Sequence, residues 1–331
     1  MNEPILRIDN CCTWFDVTRG LFAKKQIVKA VNGVSLEVYP GETLGLVGES
    51  GCGKSTLGRT IVKIYTPASG HIYYKGQDIA TLKGSQEREF RKQVQMIFQD
   101  PYASLDPRMT VGEIIREPMD IHELYSTAER EEKVVELLRI VGLKPDHIRR
   151  YPHEFSGGQR QRIGIARTLA LNPQFIVCDE PISALDVSIQ AQVINLLKEI
   201  QKNMGISYLF IAHDLSMVKH ISDRIGVMYL GHIVETGPSN ELYHHPLHPY
   251  TQALLSAVPI PDPRSVKSHE RIRLEGEIPT PINPKPCCPF ASRCTRATEE
   301  CHRSMPPTVT VEGRQVACFL YQQNGAAVCE N

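Results

Sequence analysis

The sequence predicts an α/β fold in which short apolar strands alternate with helices around a glycine-rich loop. Residues 43–47 form an apolar run that predicts a buried strand before the loop, and residues 56–62 predict a helix after it. Three further apolar runs predict buried strands, at 94–98, 175–180 and 208–212. Parallel sheets present ligand-facing residues at the carboxyl ends of their strands, so we expect the side chains there to converge on one ligand. These side chains are Lys54, Gln99, Glu180 and His213.

The glycine-rich loop at residues 48–55 has the complete pattern G-x-x-x-x-G-K-[ST] of a phosphate-binding loop. Its glycines let successive backbone N–H groups turn toward phosphate oxygens, and the following helix points its positive end at the same anion. Lys54 can reach the β- and γ-phosphates, and the hydroxyl of Ser55 can ligate Mg²⁺. The residues assigned to nucleotide binding here are Gly48, Glu49, Ser50, Gly51, Cys52, Gly53, Lys54, Ser55 and Thr56. By itself the pattern predicts only that a nucleoside triphosphate binds.

Length and charge narrow the class of protein. The chain has 331 residues, which is enough for one large or two moderate domains. Its 37 basic and 37 acidic residues balance, so net charge gives no reason to expect a nucleic-acid partner. We therefore expect no nucleic-acid partner. Residues 1–4 lack a signal-peptide pattern, and no apolar run approaches the ~20 residues that span a bilayer. We therefore expect a soluble cytosolic protein whose membrane role, if any, is peripheral.

The ten cysteines are many for a cytosolic chain, and they are unevenly placed. Six crowd the end of the chain: Cys287, Cys288, Cys294, Cys301, Cys318 and Cys329. This clustering indicates a metal or cluster site, with structural thiols as the alternative. Four of the six, from Cys288 to Cys318, follow the spacing C-x5-C-x6-C-x16-C, which differs from the paired C-x2-C of most zinc ribbons. Thiolate sites also hold iron–sulfur clusters, so the residues leave zinc and a cluster both open.

The remaining candidates follow in chain order. Residues 5–10 and 28–38 predict strands, with a loop at 20–25 between them. Phe15, just before this loop, is a candidate for stacking on adenine, although core packing explains it equally well. Gln99 follows a strand and can ligate a metal or orient water, but a polar residue is also ordinary there. Residues 110–141 have helical spacing and predict an insertion between strands.

Two motifs in the second half of the chain contain candidate residues for binding and catalysis. Ser156 is a predicted N-cap, and the glycines after it leave backbone N–H groups open to an anion, although such loop chemistry is common. The motif consists of Ser156, Gly157, Gly158 and Gln159. The predicted strand at 175–180 ends in two acids: Asp179 can hold Mg²⁺, and Glu180 can polarise the attacking water. A single acid at a strand end is unremarkable, but the pair is much more specific.

In this order the motifs resemble the ATP-binding cassette (ABC) ATPases of membrane transporters, over roughly residues 5–245. The resemblance implies a P-loop fold with a RecA-like core, an antiparallel β-subdomain and a helical subdomain inserted at about residues 100–170. It implies ATP and Mg²⁺ as ligands, with Mg²⁺ held by Ser55, Gln99 and Asp179. It further implies a Q-loop at Gln99, a signature at Ser156–Gln159 that acts on a second chain's nucleotide, a general base at Glu180, a D-loop at Asp186 and a switch histidine at His213. Phe155 stands where the signature's leucine is usual.

The C-terminal part of the chain resembles one group within this family. His248, Pro249 and Tyr250 resemble the His-Pro-Tyr element of oligopeptide/dipeptide permease ATPases, and residues 229–232 and 257–263 look most like the OppF-type subunit. The predicted division is therefore an ABC domain at 1–245, this element with a proline-rich connector at 246–286, and a cysteine-rich region at 287–331. The resemblance favours a [4Fe-4S] cluster over zinc on Cys288, Cys294, Cys301 and Cys318.

The resemblance implies the ATP-hydrolysing subunit of a bacterial oligopeptide importer, on the cytoplasmic face of the inner membrane. The implied partners are a homologous ATPase subunit, two transmembrane permease subunits and an extracytoplasmic peptide-binding protein. One alternative is the same machinery with another cargo: dipeptides, haem, glutathione, murein peptides or a nickel chelate. Another is a soluble cassette ATPase acting on ribosomes or DNA, which generally needs two cassettes or a long coiled coil. A third is a redox-sensing regulator, against which the intact catalytic positions count.

Overall fold

The computed structural model describes residues 3–20, 24–100, 102–183, 185–257, 272, 274, 276–277 and 279–322. The described chain divides into two compact units that alternate along the sequence. The first unit comprises residues 3–6, 38–43 and 73–211, and the second comprises residues 7–37, 44–72 and the described residues from 212 onward. Cys329 and most of the predicted loop and connector at 21–23 and 258–271 lie outside the described residues.

The strands are β1 (Leu6–Asp16), β2 (Ile27–Val38), β3 (Thr43–Val47), β4 (Ser69–Tyr74), β5 (Gln77–Asp78), β6 (Val94–Ile97), β7 (Phe175–Asp179), β8 (Ser207–Ala212), β9 (Arg224–Tyr229), β10 (His232–Pro238), β11 (Thr308–Val311) and β12 (Arg314–Ala317). The helices are α1 (Lys54–Ile61), α2 (Ser85–Gln93), α3 (Val111–Ile121), α4 (Thr127–Ile140), α5 (Gly157–Leu169), α6 (Val187–Met204), α7 (Leu215–Ile221), α8 (Ser239–His244) and α9 (Pro249–Ser256). Short 3-10 helices include Pro145–Arg149, Ala291–Arg293 and Glu300–His302.

In the first unit, β6, β7 and β8 pair in parallel, with Ile97 opposite Cys178 and Asp179 opposite Ile211. Every residue of β7 and β8 is buried, which is why these strands read as continuous apolar runs in the sequence. The parallel register brings the carboxyl ends of β6 and β7 to the same edge, where Gln99 comes after β6, Asp179 ends β7 and Glu180 follows it.

Helices α3, α4 and α5 lie between β6 and β7 in the chain. The helical pattern predicted at 110–141 forms two helices, α3 and α4. The chain takes positive φ at Glu123 (54°) and Tyr125 (61°), which ends the first helical run. Ser126 then starts α4 with a capping box, in which its hydroxyl accepts from the N–H of Glu129.

In the second unit, β3 pairs in parallel with β9, and β9, β10, β12 and β11 then pair antiparallel in that order. Strands β2, β1 and β4 are neighbours in another sheet. Strand β1 continues beyond the predicted residues 5–10 and includes Phe15. The predicted α/β class is therefore confirmed. None of the helices that the structure describes combines the length and apolar character needed to cross a membrane.

Candidate functional site

The phosphate-binding loop joins β3 to α1 in the second unit. Gly53 takes φ 109°, and a Cβ there would lie 2.0 Å from the carbonyl oxygen of Ala30, so only glycine fits. Lys54 opens α1 and is 3% exposed. Its Nζ donates to the carbonyl oxygens of Gly48 (2.7 Å) and Glu49 (3.1 Å). The side-chain nitrogen of Lys54 therefore lies against the backbone of its own loop.

The acids lie in the first unit, at the end of β7. Asp179 is fully buried, and Glu180 is 9% exposed. Glu180 takes φ 45°, a conformation that non-glycine residues seldom adopt and that concentrates at functional sites. The Nε2 of Gln99 donates to Oε2 of Glu180 at 3.0 Å. The structure thus brings together two of the four side chains that the sequence predicts to converge.

The predicted signature starts α5 in the first unit. The Ser156 hydroxyl accepts from the N–H of Gln159 at 3.4 Å, and the Gln159 Oε1 accepts from the N–H of Ser156 at 3.1 Å. The predicted N-cap is therefore confirmed, as part of a capping box. A Cβ on Gly158 would lie 2.5 Å from Cγ2 of Ile189, so glycine is needed for α5 to approach α6. Ser156 and Gly157 are exposed, which leaves this helix start open to a ligand.

Three other predicted residues have defined places. The ring of Phe15 meets the edge of Tyr65, with the centroids 5.2 Å apart and the planes at 80°. Asp186 is the residue before α6, and exposed His213 follows β8. Lys54 and His213 belong to the second unit, whereas Gln99 and Glu180 belong to the first. Convergence of all four, and the adenine role of Phe15, stay predictions.

The His-Pro-Tyr element has a physical basis that the sequence does not reveal. The fully buried carboxylate of Glu235, on β10, accepts from the N–H groups of Leu247 (3.0 Å) and His248 (2.9 Å). The Nδ1 of His248 accepts from the N–H of Tyr250 at 3.0 Å and so caps α9. The buried Tyr250 hydroxyl accepts from the N–H of Glu49 at 2.9 Å. The element therefore contacts the phosphate-binding loop directly.

A second contact on this loop comes from Arg293, which sequence reasoning missed. Its Nη1 and Nη2 donate to Oε2 and Oε1 of Glu49 at 2.8 and 3.2 Å. Nη1 also lies 3.4 Å from the hydroxyl of Tyr229. Hydrogen bonding to Glu49 raises the pKa of Arg293 above its usual range, so the guanidinium stays charged. No sequence signal marks this pair, because its members lie 244 positions apart.

The four cysteines proposed as cluster ligands line one cavity of about 170 Å³, together with Phe290 and Arg296. Burial raises the pKa of Cys288 to about 12, and repulsion from the other three thiols contributes. Within the described part of the chain, no three His, Cys, Asp or Glu side chains are grouped closely enough to hold a metal ion. The ligand set therefore stays a proposal.

Two family models match the chain. The model described as ABC transporter matches residues 31–183, which include the phosphate-binding loop, Gln99, the signature and both acids. The model described as the C-terminal region of oligopeptide/dipeptide transporters matches residues 234–301, which include Glu235, the His-Pro-Tyr element and Arg293.

Curated relatives cover nearly the whole chain. The oligopeptide transport ATP-binding protein AppF of Bacillus subtilis (strain 168) is 55% identical over 322 residues, which cover 96% of this chain and 98% of that protein. The oligopeptide transport ATP-binding protein OppF of Salmonella typhimurium (strain LT2) is 54% identical and covers 92% of both chains. A dimeric ATP-binding cassette bound to ADP and Pi matches with a TM-score of 0.63 at 26% identity, over 71% of this chain and 98% of its own. The chain therefore belongs to the ATP-binding proteins of the ABC transporters for oligopeptides and dipeptides.

Proposed function

We propose that this protein is the ATPase of a bacterial oligopeptide importer, bound at the cytoplasmic face of the inner membrane. The main structural support for ATPase activity is the hydrogen bond between Gln99 and the nearly buried Glu180 at the end of β7. It holds a carboxylate beside a fully buried Asp179, in a chain with one complete phosphate-binding loop. Among the possible cargoes we propose oligopeptides, because the relatives are named as oligopeptide transport proteins.

The residues present fit ATP and Mg²⁺. Lys54 and the N–H groups of the phosphate-binding loop suit phosphate oxygens, and Phe15 is the proposed contact for adenine. Ser55, Gln99 and Asp179 supply the oxygen ligands that Mg²⁺ prefers. When bound, the ion would neutralise charge on the β- and γ-phosphates.

The chemical step is assigned to Glu180, which accepts a proton from the attacking water, while Gln99 orients its carboxylate. His213 is proposed to contact the γ-phosphate side of the site. The exposed start of α5, from Ser156 to Gln159, offers N–H groups to the nucleotide held by a second cassette. Asp186 is proposed to lie at that junction between cassettes.

The proposed partners are a homologous ATPase subunit, two transmembrane permease subunits and an extracytoplasmic peptide-binding protein. We assign residues 1–245 to the ABC domain, with its helical subdomain at about 100–170, residues 246–286 to the His-Pro-Tyr element and connector, and residues 287–331 to a cysteine-rich region. The assignment of the element rests on its anchoring to β10 through Glu235 and its contact with Glu49.

Reconstitution tests the function. The chain and its four partners, assembled in proteoliposomes with ATP on the ATPase side, should accumulate a labelled oligopeptide, whereas the same vesicles with ADP should not. Dipeptides, glutathione, haem, murein peptides and nickel chelates serve as competing cargoes in parallel vesicles. Accumulation of one of these, without any oligopeptide uptake, would contradict the assigned cargo but leave the ATPase assignment intact.

We further propose that Cys288, Cys294, Cys301 and Cys318 hold a [4Fe-4S] cluster, with zinc as the alternative. The support is that all four line one cavity, which also contains apolar side chains such as Phe290. Burial, with a smaller contribution from the charges of the other three cysteines, raises the pKa of Cys288, and a cationic centre would favour its thiolate form. A cluster tolerates the wide ligand spacing better than zinc does.

Anaerobic purification should give a brown protein with about four iron atoms per chain. Cys294→Ser should abolish the colour and the iron because it removes one thiolate ligand. Cys287→Ser is the matched control, because Cys287 is a free cysteine that is not one of the four proposed ligands. This variant should keep both the colour and the iron. Stoichiometric zinc in the wild-type protein would refute the cluster.

A further inference from the structure

The phosphate-binding loop contains a carboxylate where it is electrostatically unfavourable. Glu49 is the second residue of a loop that binds a triphosphate with several negative charges. An unneutralised carboxylate in this loop would repel the phosphates, most strongly where water is partly excluded. The side chain of Glu49 is only 24% exposed, so solvent screens it incompletely.

Arg293 neutralises this carboxylate through two parallel hydrogen bonds, at 2.8 and 3.2 Å. The Arg293 side chain is 8% exposed, so the pair is largely removed from water. A bidentate contact between guanidinium and carboxylate sets direction as well as distance. The contact therefore holds Glu49 in one orientation, in addition to cancelling its charge.

The surroundings of the pair are packed. Tyr229, Tyr250 and Phe290 contact one another, with ring centroids 4.6 to 5.4 Å apart. Tyr229 also approaches Arg293, and Tyr250 accepts from the backbone N–H of Glu49. The side chain and the backbone of Glu49 are thus both anchored by residues from the C-terminal half of the chain.

The connector contacts the same loop. Pro279, Thr280 and Pro281 line a cavity of about 170 Å³ together with residues 49–52. The connector is itself tied to β2, because the N–H of Lys29 donates to the carbonyl oxygen of Pro281 at 3.0 Å. Residues 279–281 of the connector are therefore held beside the loop in part by a backbone hydrogen bond to β2.

We propose that Arg293 is a positioning residue for ATP binding, which neutralises and orients Glu49 so that the phosphate-binding loop accepts the triphosphate. The inference rests on the proposed ATP site at residues 48–55. Arg293 acts through Glu49 and lies in the chain between Cys288 and Cys294. The cysteine-rich segment thereby contributes directly to the nucleotide site.

Equilibrium binding of a fluorescent ATP analogue to the full chain, with Mg²⁺, tests this role. Arg293→Ala should raise the Kd about tenfold, because it leaves the Glu49 carboxylate uncompensated. Arg293→Ala combined with Glu49→Gln should return the Kd to within about threefold of wild type, because the repelling charge is then gone. Arg303→Ala is the matched control: Arg303 lies in the same segment but pairs with Glu299 at the surface, so the Kd should not change.

ATPase kinetics in the assembled transporter separate positioning from a merely structural role. Arg293→Lys keeps the charge but loses the fork, so it should raise KM with kcat unchanged, and by less than Arg293→Ala. This variant also decides the matter if Arg293→Ala does not fold, as judged by circular dichroism. A double variant as weak as Arg293→Ala, or unchanged KM in Arg293→Lys, would overturn the proposal. Failure of the wild-type chain to bind the analogue would instead refute the ATP site.

Discussion

Glu180→Gln should lower the rate of ATP hydrolysis by the assembled transporter about 10²- to 10⁴-fold, the usual effect of losing a general base. Glutamine has nearly the same shape as glutamate, and its side-chain oxygen can still accept the hydrogen bond from Gln99. It cannot take a proton from water. The variant should therefore keep its affinity for ATP and accumulate as the ATP-bound closed dimer. Hydrolysis is measured by phosphate release, and dimerisation by gel filtration with ATP.

Glu136→Gln is the matched control for this substitution. Glu136 lies on the surface of α4, where it pairs with Lys133. An exposed pair of this kind contributes little to stability, so the control should hydrolyse ATP at the wild-type rate. Undiminished turnover by Glu180→Gln would show that another group accepts the proton.

Lys54→Ala should weaken ATP binding about 10- to 100-fold, because a hydrogen bond to a charged group contributes about 1.5–3 kcal/mol. The ammonium group lies inside the curve of the loop, within 2.7 Å of the Gly48 carbonyl oxygen, and so can reach bound phosphates. Lys54→Arg should not restore binding, because the planar guanidinium is wider than an ammonium group. The Kd is measured with a fluorescent ATP analogue.

Stability measurements accompany the binding assay. Lys54 is 3% exposed and donates to two carbonyl oxygens of its own loop, so its loss should lower the free energy of unfolding by about 1–3 kcal/mol. Lys133→Ala, on the surface of α4, should change neither quantity measurably. A Lys54→Ala protein that binds ATP as tightly as wild type would contradict the assignment of this loop.

We expect the two variants to impair different steps of ATP hydrolysis. Lys54→Ala should bind ATP weakly, whereas Glu180→Gln should bind it normally and lose turnover. At ATP concentrations near the wild-type Kd, uptake should therefore fall in both cases, but only Glu180→Gln should remain loaded with ATP. The contrast separates binding from chemistry without reference to cargo.

Most buried strands could be located from the sequence. Strands β6, β7 and β8 lie within one residue of the predicted runs, because strands buried on both faces need continuous apolar residues. The helical pattern at 110–141 was less informative. Its break at Glu123 and Tyr125 depends on two positive φ angles that residue type does not reveal.

Local motifs by themselves determined the phosphate-binding loop, the N-cap at Ser156 and the acid pair, because consecutive residues build each of them. The strand pattern also predicted that Gln99 and Glu180 converge, and the structure confirms this with a hydrogen bond between them. Only the tertiary structure anchored the His-Pro-Tyr element on Glu235 and placed Arg293 on Glu49. The physical reason is that these contacts join residues far apart in the chain, at distances set by packing. A single chain carries no periodic or compositional trace of such pairs.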